Sequence, residues 1–234
     1  MTIPTDFEAR AADLGVAFEH GDLDRLDQFL TLMLRENERM NLTAITDEAT
    51  AWERHVLDSL TLIGPLVGAE ARRVADLGSG GGFPGIPLAI CLPEVDFTLI
   101  EATGKKAAFL QRAIEALGLE NARVVSERAE TLGQQRHDYR DRFDVVVARA
   151  VGRLNTLVEL SIPLARVGGF VFAVKGARAP EEIEEAKAAL HRLHAQVVET
   201  IESPTGRVVI LQKNRTTPRI YPRRPGEPKR APLR

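Results

Sequence analysis

The chain has 234 residues, 44% of them hydrophobic and 27% charged, with a formal net charge of -2, enough for one good core with an accessory segment. No apolar run approaches the ~18 residues of a membrane helix, and the start, MTIPTDFEAR, has neither the basic stretch nor the apolar core of a signal peptide, so a cytoplasmic protein with no membrane partner is expected. The single cysteine, Cys91 between Ile90 and Leu92, excludes internal disulfides, iron–sulfur clusters and zinc clusters and reads as a small core residue, so no metal is expected.

Residues 1–66 read as a helical N-terminal extension. Leu23, Leu26, Leu30 and Met33 recur at helical spacing after a cap candidate at Asp22, and Trp52, Val56, Leu60 and Ile63 do so after Thr46-Asp47. In the second helix His55 and Asp58, at i and i+3, fall together on a polar flank. They either line a site or form a solvent-exposed ion pair, and spacing alone favours the ion pair.

From residue 67 to 212 short apolar runs alternate with helical segments. The strand candidates are Val74 to Leu77, Phe97 to Ile100, Arg123 to Ser126, Phe143 to Ala148 and Phe170 to Val174, a βαβ series that implies a mostly parallel sheet covered on both faces. Gln196 to Ile201 and Gly206 to Leu211 are joined only by Glu202-Ser-Pro-Thr-Gly206 and not by a helix, so a closing antiparallel hairpin is expected.

The stretch VADLGSGGGFPGIPLAI, Val74 to Ile90, places five glycines within eight positions after the first strand. In such a sheet ligands bind at the carboxyl ends of the strands. Gly80, Gly82 and Gly85 match GxGxxG, and Glu101 ends the second strand at about the right distance for a ribose hydroxyl, a signal that several classes of adenosine-binding fold share. No GK[ST] follows, which excludes a P-loop, and neither Tyr139 nor Tyr221 is followed by the lysine of a short-chain dehydrogenase. Asp76, two residues before Gly78, suits a zwitterionic amino acid better than a pyrophosphate, whose charges it would repel.

Arg149 follows Asp144-Val-Val-Val-Ala148, and Lys175 ends the equivalent position on the fifth strand. A cation after an apolar strand either closes the core or faces the site, and position favours the site. Together the two could hold a nucleotide phosphate or a cofactor carboxylate. The last segment, residues 213–234, carries eight basic residues against Glu227, a local +7 on a body of -9. Its five prolines oppose a helix, so an extended or disordered arm is expected, either a solubilising tail or a binder of phosphate backbone.

DLGSGGGFPG is similar to the first motif of class I S-adenosylmethionine-dependent methyltransferases. With NLTAI (Asn41 to Ile45), RHVLDSL (Arg54 to Leu60), FPGIPLAI and Ala148-Arg-Ala150, nearly the whole chain resembles the bacterial 16S rRNA guanine-N7 methyltransferases of the small ribosomal subunit, the glucose-inhibited division protein B family. The resemblance implies an α/β, Rossmann-like fold with a seven-stranded sheet, S-adenosyl-L-methionine as cofactor, and a guanine in the decoding-region stem-loop of 16S rRNA as target. The partner is the rRNA, the small subunit or an assembly intermediate, met by a monomer.

It assigns cofactor contacts to Asp76, Gly78, Gly80, Gly82 and Phe83, to Glu101, Ala102 and Thr103 beneath the adenosine, to Ala129 and Glu130 at the adenine, and to Arg149. Without the family, Glu130 reads as an exposed acid at a helix start. Candidate RNA contacts are Arg54, His55 and Lys175 near the centre and Arg219, Arg223 and Arg224 in the tail. No general base is assigned, because guanine N7 carries an in-plane lone pair and no proton. The turn after the fourth strand also lacks the Pro-Pro-aromatic signature of amine methylation and any catalytic cysteine. From residues alone, a small-molecule methyltransferase and a non-catalytic nucleotide-binding module remain open.

Overall fold

The structure, a computed structural model, describes residues 3–134 and 137–233. Helix α1 (Phe7–Asp13) leads to α2 (Asp22–Met40), whose Leu26, Phe29, Leu30 and Met33 are fully buried. The cap position of α2 is Gly21, in the left-handed region, and not Asp22, which is the first helical residue and accepts a hydrogen bond from the Glu19 amide at 2.9 Å. Asn41, also left-handed, ends α2, a conformation asparagine tolerates better than most residues.

Asp47 caps the next helical stretch through the Thr50 amide, as the sequence suggests. That stretch runs from α3 (Glu48–Ala51) through a π-helical turn, Trp52–Leu57, into α4 (Asp58–Leu60), followed by α5 (Ile63–Gly68). A π turn widens the backbone and recurs at functional sites.

Strands β1 (Arg73–Leu77), β2 (Asp96–Ile100), β3 (Ala122–Val125), β4 (Phe143–Arg149), β5 (Ala165–Lys175), β6 (Ala195–Ser203) and β7 (Gly206–Lys213) form one sheet in the order β3-β2-β1-β4-β5-β7-β6. The first five run parallel, and β7 is antiparallel to both neighbours, which makes the hairpin expected from the short link. Helices α6 (Gly85–Cys91) and α7 (Gly104–Leu117) cover one face, joined by α2. Helices α8 (Ala129–Leu132), α9 (Leu154–Ser161) and α10 (Ala179–Leu193) cover the other. The order reverses between β1 and β4, and Leu77 pairs with both Ile100 and Ala148, so the carboxyl ends of the three central strands open together.

The N-terminal helices belong to the same core as the sheet: Phe29, Leu30, Met33 and Trp52 share a buried cluster with Val74, Phe97 and Val145. Residue 66 itself lies within α5, and the change from helices to sheet comes only at Arg73, with no break in the core.

The C-terminal segment corrects the expectation of an extended or disordered arm. Lys213 is fully buried in β7, where its ammonium meets Asp141 and the carbonyls of Ile162 and Ala165. Arg140 donates to the carbonyls of Thr217 and Tyr221, Tyr221 and Leu233 are buried, and a short helix α11 (Glu227–Arg230) packs near α9. Composition showed the prolines and the charge but not the backbone carbonyls and buried carboxylates that satisfy part of that charge.

Candidate active site

The glycine turn follows β1 directly. The Gly78 and Ser79 amides donate to the Ile100 carbonyl at 2.8 and 3.2 Å, which holds the turn over the ends of β1 and β2. Gly78, Gly80 and Gly82 all have positive φ, but they face different surroundings. A Cβ on Gly80 would meet nothing closer than the Gly78 carbonyl oxygen at 3.7 Å, so its face is open. One on Gly82 would strike Ile86 and Phe29 at 2.8 Å, and one on Gly85 would strike Asp76 Oδ2 at 2.6 Å. Gly82, a candidate contact in the sequence, is therefore turned toward the core and serves packing.

Two carboxylates support this turn. Asp76, fully buried beneath it, accepts a hydrogen bond from the Gly85 amide at 3.0 Å through Oδ2, while Oδ1 is buried with no partner. Burial raises its pKa to about 6, against the opposing pull of the nearby Ser79 hydroxyl, which donates to the Asp76 carbonyl at 3.0 Å, and of the Gly85 amide. Glu101, 8% exposed, accepts from the Gly80 amide at 3.0 Å and from the Thr103 amide at 2.7 Å. It ties the glycine turn to the end of β2, where Ala102 and Thr103 are exposed. Each carboxylate oxygen keeps acceptor capacity beyond one hydrogen bond. An open glycine face, an unpaired buried acceptor and a carboxylate at the second strand end fit a nucleoside-linked amino acid such as S-adenosylmethionine.

Beside the turn lies a cavity of about 540 Å³ whose walls include Thr43, Arg54, His55, Asp58, Gly78, Gly80, Phe83, Arg149 and Lys175, a size typical of small-ligand sites. The N-terminal helices supply one wall, and β4 and β5 the other. His55 stacks on Phe83 with ring centroids 4.7 Å apart, and the Arg149 guanidinium lies over the same ring at 5.2 Å. Arg149 donates to the Arg54 carbonyl at 2.8 Å, approaches His55 Nδ1 at 3.3 Å and stands 3.7 Å from Asp58 Oδ2. Because a guanidinium can only donate, His55 Nδ1 accepts; the ring proton then sits on Nε2 and is donated to Thr43 Oγ1 at 2.8 Å. Burial, with Arg149 beside it, lowers the His55 pKa to about 4, so the imidazole is neutral near pH 7.

His55 and Asp58 thus do not form a solvent-exposed ion pair. Both are buried, and each is committed to Arg149, while Asp58 Oδ1 also accepts from Thr205 in the β6–β7 turn at 2.6 Å. Spacing shows which face of a helix two residues share but not what covers that face. Thr43 is placed by its own amide, which donates to Asn37 Oδ1 at 2.8 Å, so the NLTAI segment positions the histidine. Thr205 carried no signal beyond its place in a turn.

Three candidate contacts are engaged within the protein. The Lys175 ammonium, expected as a free cation for phosphate, is buried against Glu182 Oε2 and the Gly152 carbonyl, each at 2.6 Å. Glu182 also accepts from the Leu154 amide at 2.8 Å, so the pair fastens the 150–153 loop, where Ala150 and Gly152 have positive φ. Glu130, read without the family as exposed, is 7% exposed and accepts from the Gly226 amide at 2.8 Å. Arg223 is spent on Glu159, with Nη2 2.6 Å from Oε2. Ala129, buried, heads α8; Arg54, Arg219 and Arg224 are exposed, and among the described residues no ion pair holds them. Cys91 is inert, its thiol pushed up to about 12 by burial.

The sheet order, the glycine turn at the β1 carboxyl end and the carboxylate on β2 define a class I S-adenosylmethionine-dependent methyltransferase. Within that class the chain belongs to the rRNA small subunit methyltransferase G (GidB) family, whose model matches residues 22–209. It is 48% identical over 225 residues to "Ribosomal RNA small subunit methyltransferase G" of Sorangium cellulosum, covering 96% of this chain and 93% of the relative. The protein of the same name from Halalkalibacterium halodurans is 39% identical, with 98% of each chain covered. Among solved structures, an O-methyltransferase from Bacillus cereus in complex with SAH superposes with a TM-score of 0.56 at 19% identity, over 79% of this chain and 90% of that one. The O-methyltransferase TomG from Streptomyces achromogenes gives 0.56 at 15% identity, over 86% and 92%. These two are similar in fold. Among the described residues no helix is long and apolar enough to cross a membrane, and no three His, Cys, Asp or Glu side chains come together to hold a metal ion.

Proposed function

We propose that this chain methylates N7 of a guanine in the decoding-region stem-loop of 16S rRNA. The observation that carries the reading is the match of the family model to most of the chain, joined to a cavity whose one histidine is neutral and locked between two partners. The cofactor supplies a methyl group on a sulfonium, to which the in-plane N7 lone pair bonds as the methyl–sulfur electrons return to sulfur. No proton leaves N7, so the pocket has to align and shield but not deprotonate.

Asp76 and the Gly78 to Gly80 turn hold the amino-acid end, Glu101 with Ala102 and Thr103 the ribose side, and Ala129 the adenine. Phe83 and Arg149 form the wall between cofactor and base. Arg149 carries its positive charge beside Asp58, so the pair adds little net repulsion to the charge that develops on the guanine. Arg54, exposed at the rim, meets phosphate.

Methyl transfer from labelled cofactor to naked 16S rRNA, to small subunits and to a panel of small molecules tests the reading, with the modified base then mapped. Label in a guanine N7 of 16S rRNA is expected. Transfer to small molecules with none to rRNA or subunits would overturn it.

A further inference from the structure

A second cleft, of about 1010 Å³, adjoins the site and shares Ala150 with it. One side is the 150–153 loop and α9, another is Arg128 at the head of α8, and the third is the C-terminal segment through Gly226, Lys229 and Pro232. The segment is fixed there: the Gly226 amide donates to Glu130, the Thr156 hydroxyl donates to the Pro228 carbonyl, and Arg223 grips Glu159. Its charges consequently have defined positions.

Three cations line this cleft. Arg153 is paired with Glu185 at 3.1 Å, and Glu130 is occupied by the tail, which leaves Arg128 at the head of α8 and Lys229 on the C-terminal segment exposed, with no ion pair among the described residues. Asn155, 8% exposed, also lines the cleft, and its Oδ1 is buried without a hydrogen-bond partner. Two unpaired cations around an uncompensated acceptor suit an occupant that carries both anionic oxygens and hydroxyl donors. A ribose-phosphate strand carries both.

We propose that this cleft, built in part by the docked C-terminal segment, is a binding groove for the RNA strand that flanks the methylated nucleotide, with Arg128 and Lys229 on its phosphates. The proposal rests on the rRNA reading above and names where that RNA runs. It also explains why an acidic body holds a proline-rich basic segment in place: prolines and hydrogen bonds fix the cations before RNA arrives, so less conformational freedom is lost on binding.

The test uses the full-length chain and its Arg128→Gln, Lys229→Gln and doubly substituted forms, with naked 16S rRNA as the probe over a salt series. Each substitution is expected to flatten the slope of log affinity against log salt by about 1 and the pair by about 2, with roughly tenfold weaker binding near 0.1 M salt. Affinity for S-adenosylmethionine and the position of the methylated base stay unchanged. Unaltered rRNA affinity and slope in the double variant would overturn the groove. Weakened cofactor binding with unchanged rRNA affinity would assign the cleft to the cofactor instead. If the unsubstituted chain neither binds nor methylates rRNA, the functional reading itself fails and the groove with it.

Discussion

Arg149, the last residue of β4, and Asp58, in the N-terminal helical segment, face each other at 3.7 Å with the Asp58 side chain 1% exposed and that of Arg149 17% exposed. The contact joins sheet to helices across the cavity, and the guanidinium has two further partners, the Arg54 carbonyl and His55. A lysine at 149 would keep the charge but not the fork that reaches all three. Arg149→Lys is expected to lower methyl-transfer turnover at least about tenfold, with a melting shift of only a few degrees. Asp58→Ala, which strands the buried cation, should cost about 3 kcal/mol in urea unfolding. Wild-type turnover in Arg149→Lys would remove the residue from the working wall.

The glycines of the turn separate by what lies opposite them. Gly80 has an open face, so Gly80→Val should fold, at about 1–2 kcal/mol for its left-handed backbone, while losing cofactor affinity at least about a hundredfold as its methyls enter the cleft. That loss corresponds to about 2.7 kcal/mol. Gly85→Ala should instead lower stability, because its Cβ meets the Asp76 carboxylate at 2.6 Å. Calorimetry of cofactor binding beside urea unfolding distinguishes the two, and unaltered affinity in folded Gly80→Val would place the cofactor elsewhere.

His55 and Asp76 link stability to pH with opposite signs. Between about 4 and 6.5 the unfolded chain holds a proton on His55 that the folded chain lacks, so this residue's contribution rises with pH. Between 3.8 and about 6 the folded chain holds a proton on Asp76 that the unfolded chain lacks, so that contribution falls with pH. From about 4 to 6 the two nearly cancel. Asp76→Asn should leave a stability that climbs by about 1 kcal/mol per pH unit across this window, and His55→Gln one that falls by a similar amount. Urea unfolding at several pH values measures both, and parallel profiles for the two variants would contradict the assignment.

The raised Asp76 pKa also bears on ligand binding. An ammonium group placed near Oδ1 favours the ionised carboxylate, so cofactor affinity should increase as pH rises through about 6, with a proton released on binding just below that pH. Calorimetry in two buffers of different ionisation enthalpy counts that proton. Asp76→Asn should abolish its release, and release persisting in that variant would move its source to another group.

Much of the sheet was legible because each central strand is a short apolar run closed by a polar or glycine residue, and the link between Ile201 and Gly206 is too short for a crossover helix. The glycine turn was equally plain, since only its residues permit three left-handed positions so close together. Partnership was not legible. Lys175 reads as a cation at a strand end whether or not Glu182 reaches it from α10, and His55 reads as an exposed flank until Phe83 and Arg149 cover it. The first pairing crosses from a strand end to the next helix and the second joins elements 94 residues apart, and periodicity and local spacing connect neither.

The clearest consequence concerns the C-terminal segment, which charge and proline content present as a removable arm. Glu159 on α9 is completely buried, and Arg223 meets it three times: through its amide and Nε to Oε1, each at 2.9 Å, and through Nη2 to Oε2 at 2.6 Å. Removing the cation strands a buried carboxylate, whereas removing the charge from both sides leaves a hydrogen-bonding amide that tolerates burial better. Arg223→Ala should therefore cost about 3 kcal/mol, and Glu159→Gln introduced into that background should recover about 1–2 of it. Truncation after Gln212 should be worse than either, because it also removes Lys213, whose ammonium holds Asp141 and two carbonyls. Urea unfolding of the four members of the Arg223–Glu159 cycle and of the truncated chain measures these differences. Wild-type stability in the truncated chain would show that the segment only decorates the surface, and strictly additive losses in the cycle would show that Arg223 and Glu159 do not depend on each other.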